Sequence, residues 1–215
     1  MISVDALLFD LDGTLIDSKL DLAHSVQYLQ KMYGTPTSTE KQVAAFVGDG
    51  VGKLVQRALP ELAAHDLDVA VGHFKQFYRK HCVEHTHIYP GVVATLKHFR
   101  HKKMAVVTNK PVRISGYILD HLKLSPFFQI LIGGDSLPNK KPHPEPVLSA
   151  LATLRILNPK RVVMVGDGPN DILSGRSAGT HTCGIFSNIG DARKLTNSRP
   201  DYEIKHLSEL MRIFN

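Results

Sequence analysis

The sequence predicts an α/β protein, a doubly wound parallel sheet that carries one all-helical insertion. Three observations predict it. Short, almost continuously apolar runs each end in glycine or polar residues, as strands buried on both faces do. Between the later runs, apolar residues recur at helical spacing, and strand–helix alternation gives right-handed crossovers. The alternation fails once, between the first run and the second, where the interval is far too long for a crossover.

The first strand is Val4–Phe9, which runs straight into acids. The insertion follows, over residues 16–88, leaving 1–15 and 89–215 as the sheet-bearing core. Three apolar stripes mark its helices: Leu22, Val26, Leu29 and Tyr33; Val51, Leu54, Val55, Ala58 and Leu59; and Leu67, Ala70, Val71, Phe74, Phe77 and Tyr78. Its hinges are expected at Leu15–Ser18 and at the Tyr89-Pro90-Gly91 turn. The second strand, Met104–Val107, precedes Thr108-Asn109, and a helix carries Ile114, Tyr117, Ile118 and Leu122. The third strand, Phe128–Ile132, runs into Gly133-Gly134. Val147, Leu148, Leu151 and Leu154 mark the next helix, with Pro144 and Pro146 near its start, where a missing N–H costs little. Arg161–Val165 runs into Gly166-Asp167, and His181–Phe186 is a fifth, weaker strand. The core is therefore expected to be Rossmann-like.

Composition narrows the function classes. The chain has 215 residues, 43% hydrophobic and 21% charged, enough for a packed core and too apolar for wholesale disorder. No apolar run is long enough for a membrane helix, and the N-terminus lacks the basic region and cleavage site of a secretory signal. The two cysteines, Cys82 and Cys183, form no CxxC pair, which fits a reducing cytoplasm. The net charge of +6 allows nucleic acid, an anionic surface or an acidic small substrate. The densest basic stretch, His98–Lys103, lies at a helix end, where cations meet the negative dipole end. No RNA-recognition, helix-turn-helix or aromatic-rich basic signature is visible, so the charge is read as a field that attracts phosphorylated anions rather than nucleic acid.

In open α/β sheets, ligands bind beyond the carboxyl ends of the strands. Four such ends carry candidate chemistry. Asp10 and Asp12, followed by Gly13-Thr14, offer two carboxylates, able to hold a hard cation or to attack an electrophile such as phosphorus. A calcium loop does not fit, because its twelfth position is Asp21 rather than Glu and a strand precedes it. Thr108-Asn109 place a hydroxyl and an amide where they can donate to a phosphate oxygen, although a turn uses the same residues. Lys141, held out of the helical region by Pro142, can point into the site or stay in solvent like Lys140. Asp167 and Asp171 bring further acids from the fourth strand end.

Taken in this order, the residues resemble the haloacid dehalogenase-like hydrolase superfamily. Phe9–Leu15 matches its first motif, Val107–Asn109 its second, Lys141-Pro142 its third, and Gly166-Asp167 with Asp171 its fourth. Val47–Gly50, Arg57–Leu59, Thr108–Pro111, Gly133–Asp135 and Asn139–Pro144 make it most similar to the phosphoglycolate phosphatases of that superfamily. The resemblance implies Asp10 as nucleophile, Asp12 as general acid and base, and Mg²⁺ held by Asp10, the Asp12 carbonyl and Asp167, with Asp171 as a further ligand or an acceptor for metal waters. It implies that Thr108 binds phosphoryl oxygens and that Lys141 ties nucleophile to phosphate. In the helical cap, Gly48 and Gly50 are expected to offer N–H groups to an anion, Lys53 to meet a substrate carboxylate, and Asn109 to touch substrate. The partner is thus a small phosphorylated molecule. A metal-free dehalogenase would lack Asp12, a phosphonate hydrolase would need a Schiff-base lysine, and a sugar phosphomutase or a phosphatase for nucleotides, pyrophosphate or sugar phosphates remains the rival reading.

Overall fold

The structure, a computed structural model, describes residues 1–186 and 191–215. Its elements in chain order are β1 (Ala6–Phe9), β2 (Ile16–Asp17), α1 (Lys19–Met32), α2 (Glu40–Ala44), α3 (Val51–Ala58), α4 (Leu67–His81), β3 (His87–Ile88), α5 (Val92–His98) and β4 (Lys103–Val107). They continue with α6 (Val112–His121), β5 (Ile130–Ile132), α7 (Glu145–Thr153), β6 (Val162–Gly166), α8 (Pro169–Ser177), β7 (His181–Ile185), α9 (Ala192–Asn197), β8 (Tyr202–Ile204) and α10 (Leu210–Ile213).

The main sheet has six strands in the order β5-β4-β1-β6-β7-β8, and all its pairings are parallel. Strand residues alternate between two cores, as the pleat requires. Leu7, Phe9, Val106, Val163 and Val165 face one core, while Ala6, Leu8, Ala105, Val107, Val162 and Met164 face the other, against Val147, Ala150 and Leu151 of α7. The first core is continuous with the insertion, through Leu22 and Val26 of α1, Leu54 of α3 and Phe74 of α4.

All five strands expected from the sequence are present, and the sheet is the doubly wound parallel one. A sixth, β8, has no counterpart in the sequence reading: three residues at an edge, paired only with β7, are too short to show a period. The long interval is not strand-free either. Ile16–Asp17 pairs antiparallel with His87–Ile88, so the chain entering and leaving the insertion meets in a two-stranded ribbon at its neck. Between those strands, α1 packs on α4 with Tyr28 stacked on Phe77 at 3.9 Å, and buried Gln30 donates to the Ala58 carbonyl at the end of α3. No helix among the described residues is long and apolar enough to cross a membrane.

Candidate active site

Strand order reverses at β1, which has β4 on one side and β6 on the other. Such a switch point opens a crevice at the carboxyl ends. Register brings the candidate residues close together: Phe9 pairs with both Val106 and Val165, so Asp10 leaves its strand one residue before Thr108 and Asp167 leave the two neighbours. Above them a cavity of about 420 Å³ separates core from insertion, lined on one side by Asp10, Asp12, Thr108, Lys141 and Asp167 and on the other by Leu22, Leu54, Phe74, Lys75 and Tyr78.

Lys141 organises the base of the site. Its ammonium, 2% exposed, lies 2.9 Å from Asp10 Oδ1 and 2.5 Å from Asp171 Oδ1, and also donates to the Val107 carbonyl. Burial pulls its pKa down, but the Asp10 and Asp171 carboxylates outweigh burial and raise it above the ordinary lysine value. Asp171 is pushed up to about 6, chiefly by burial; the Lys141 ammonium pulls it down by more than Asp10's like-charge repulsion pushes it up, but does not overcome burial. One ammonium is thus shared between Asp10 and Asp171.

Two glycines let those acids approach. Gly13 has φ +81°, and a Cβ there would sit 2.0 Å from Asp167 Oδ2. A Cβ on Gly166 would sit 2.2 Å from the Asp171 carboxyl carbon. Any side chain at either place would push an acid out of the cluster. Oxygens of Asp10, Asp167 and Asp171 lie within 4.8 Å of one another, a hard-donor set suited to Mg²⁺. The clustered carboxylate oxygens and the cradle left by Gly13 both fit a bound divalent cation.

Asp12 is held from the other side. Lys110 Nζ lies 3.0 Å from each of its carboxylate oxygens, Ser18 Oγ donates to Oδ1 at 2.5 Å, and Lys110 also donates to the Tyr78 hydroxyl at 2.6 Å. Thr108 is buried; its hydroxyl oxygen accepts from the Lys110 N–H at 3.2 Å, which leaves the hydroxyl proton for a ligand.

Three expected substrate contacts need correction or refinement. Asn109 spends both amide protons on backbone carbonyls, Gly48 at 2.9 Å and Lys141 at 2.8 Å. It bridges the loop before α3 to the lysine loop instead of offering donors to substrate. Gly48 and Gly50 do line the cavity, but Gly48 faces the core with its carbonyl, which also accepts from Asn170 at 3.2 Å. Lys53 lies outside the cavity lining, exposed and bonded to Gln56 at 3.0 Å. Its position off the Val51, Leu54, Val55 and Ala58 stripe already points to solvent.

Reading the sequence missed Ser18, Asp49, Tyr78, Lys110 and Asn170. Asp49 accepts from Asn170 at 2.7 Å, pairs with Arg57 and takes Lys140 on its carbonyl, joining insertion to core. The only sequence signal for Lys110 was its place in the Thr108–Pro111 run; Tyr78 was absorbed into an apolar stripe.

An acid-bearing strand end, a buried lysine among acids and a helical insertion over the crevice are what a hydrolase of the α/β class would carry. Residues 7–185 match the family model described as haloacid dehalogenase-like hydrolase, and the chain belongs to that family. It is 34% identical over 222 residues to the phosphoglycolate phosphatase of Vibrio cholerae, covering 99% of this chain and 98% of that one. It is 36% identical to the phosphoglycolate phosphatase of Neisseria meningitidis, covering 96% and 92%. The crystal structure of a predicted phosphoglycolate phosphatase from Haemophilus somnus superposes with a TM-score of 0.93 at 30% identity, covering 99% of each chain.

Proposed function

We propose that the protein is a Mg²⁺-dependent phosphatase of a small phosphomonoester, 2-phosphoglycolate, working through an aspartyl-phosphate on Asp10. The carrying observation is the Lys141 ammonium on Asp10 at 2.9 Å, inside a cluster of acids at the strand switch point. The relatives' names support the substrate.

Residues 16–88 form a cap that closes over a core of 1–15 and 89–215, turning at the β2–β3 neck. Asp10 attacks phosphorus in line; a new oxygen–phosphorus bond forms as the ester bond breaks. Asp12 gives its proton to the leaving oxygen, so the alcohol departs neutral. Water then attacks the aspartyl-phosphate, its proton passes to Asp12, and phosphate leaves with Asp10 restored. Thr108 binds a phosphoryl oxygen with its free hydroxyl proton, and Lys141 orients Asp10 while offsetting charge. Asp10, Asp167 and the Asp12 carbonyl hold Mg²⁺, with Asp171 beside them; when bound, the ion supplies positive charge against the transferring phosphoryl group. The protein acts in the cytoplasm.

The test is phosphate release from 2-phosphoglycolate with Mg²⁺, beside nucleotide, pyrophosphate, sugar-phosphate and generic esters. The reading expects 2-phosphoglycolate to lead in kcat/KM, and Asp10→Asn to abolish turnover of every ester. Turnover that survives Asp10→Asn removes the nucleophile assignment, and a flat panel removes the substrate.

A further inference from the structure

Lys110 and Tyr78 together make an anion seat that belongs half to the core and half to the insertion. Lys110 follows β4, is 7% exposed, and places its ammonium 3.0 Å from both Asp12 oxygens. Tyr78 lies on α4, is 2% exposed, and lines the cavity. Its hydroxyl oxygen accepts from Lys110 at 2.6 Å, and the ammonium sits 4.6 Å from its ring centre. Because a lysine ammonium has no lone pair, the tyrosine proton stays unspent, with no acceptor among the described residues. A buried hydroxyl proton without a partner, beside a buried cation on a cavity wall, is a site built for an anion.

Its position names the anion, on the reading of Asp12 as the proton donor to the leaving group. That donor must lie within hydrogen-bond reach of the leaving oxygen. The Lys110 ammonium is one hydrogen bond beyond Asp12, toward α4. In the phosphate ester of an α-hydroxy acid, a single carbon separates the leaving oxygen from the carboxylate. Phosphorus over Asp10 and the leaving oxygen at Asp12 therefore bring that carboxylate to Lys110 and Tyr78. We propose that Lys110 and Tyr78 bind the substrate's carboxylate and set the preference for phosphate esters of small α-hydroxy acids. The seat is complete only when α4 lies against the core, so a substrate bearing that carboxylate bridges the two.

The measurement is the ratio of kcat/KM for 2-phosphoglycolate to that for 2-hydroxyethyl phosphate, a neutral analogue of similar size, with Mg²⁺. A general loss of activity cancels in the ratio. Lys110→Met lowers it by about tenfold or more, the scale of a charge-assisted hydrogen bond, and Tyr78→Phe lowers it by less, in the same direction. Lys75→Ala is the rival cation: it lines the same cavity, is half-buried and has no hydrogen-bond or ion-pair partner among the described residues. Where Lys110→Met turns over too slowly to measure, calorimetric affinities of the two esters for Asp10→Asn protein, with and without Lys110→Met, give the same ratio, and circular dichroism checks the fold. A wild-type enzyme without the preference overturns the 2-phosphoglycolate reading and this proposal with it. A wild-type preference that survives both Lys110→Met and Tyr78→Phe, or that Lys75→Ala removes instead, overturns the carboxylate seat alone.

Discussion

Asp21, in the first turn of α1, and Asp171, in the first turn of α8, are 1% and 2% exposed, and each belongs to a group of potential metal ligands. Their surroundings drive them in opposite directions. Burial pushes Asp21 up, but donors from Thr86 and His85 outweigh it and hold the carboxyl below its usual range. Those donors are the His85 and Thr86 N–H groups, the Thr86 hydroxyl at 2.7 Å and His85 Nδ1 at 2.9 Å. Asp171 has one backbone donor, Gly168 N–H at 3.0 Å, and half a share in Lys141, with Asp10 alongside. Donors that saturate a carboxylate make an anchor: Asp21 ties α1 to the chain re-entering the neck, and its oxygens have no lone pair to spare beside His24 and His85. A buried carboxylate with fewer donors, beside a second acid, keeps lone pairs open to a cation. Similar ligand spacing thus means opposite things, and the donor inventory decides between them.

Each side of this contrast can be broken by experiment. Lys141→Met removes the shared cation and is expected to lower kcat for phosphate release by about 10³-fold; a loss below tenfold would show that Asp10 needs no such partner. Asp21→Asn turns an amide donor onto donors that already point at it. It should lower stability by about 3 kcal/mol, roughly 10 °C in Tm, while kcat at 25 °C stays within about twofold; a catalytic loss with unchanged Tm would reverse the roles. The acid branch of stability follows the same division. Asp21 is depressed, so its contribution is present above the ordinary carboxylate range and is lost as pH falls through its folded-state value. Asp21→Asn should therefore flatten the fall in Tm on acidification. Asp171 is raised to about 6, so metal-free protein loses stability as pH climbs from the ordinary carboxylate value toward 6. Asp171→Asn should lack that loss, and an identical pH profile would refute the burial argument. The smallest expected effect is a Tm rise of a few degrees with Mg²⁺, reversed by EDTA and larger at pH 7.5 than at pH 5, where a proton competes for Asp171. An equal rise at both pH values would separate the ion from this carboxylate.

The sequence by itself determined five of the six strands of the main sheet, because an apolar run ending in Gly or a polar residue reports burial on both faces regardless of what lies above it. It also located α1, α3 and α4 of the insertion, since a helical stripe is a local pattern, though not the five-residue α2, and it marked the strand ends where Asp10, Thr108 and Asp167 line one cavity. Gly13 and Gly166 were legible as parts of motifs, while their reason, the close approach of Asp167 and Asp171, needed coordinates. Only the tertiary structure decided how donors were spent. Asn109 gives its amide protons to Gly48 and Lys141, 61 and 32 residues away in sequence, and no local pattern encodes such partners. The same holds for Lys110, an unremarked lysine after Thr108-Asn109 until α4 sets Tyr78 against it. Periodicity states which face of an element is buried. A hydrogen bond also needs a partner in direction and at short range, and that is settled when distant elements pack together.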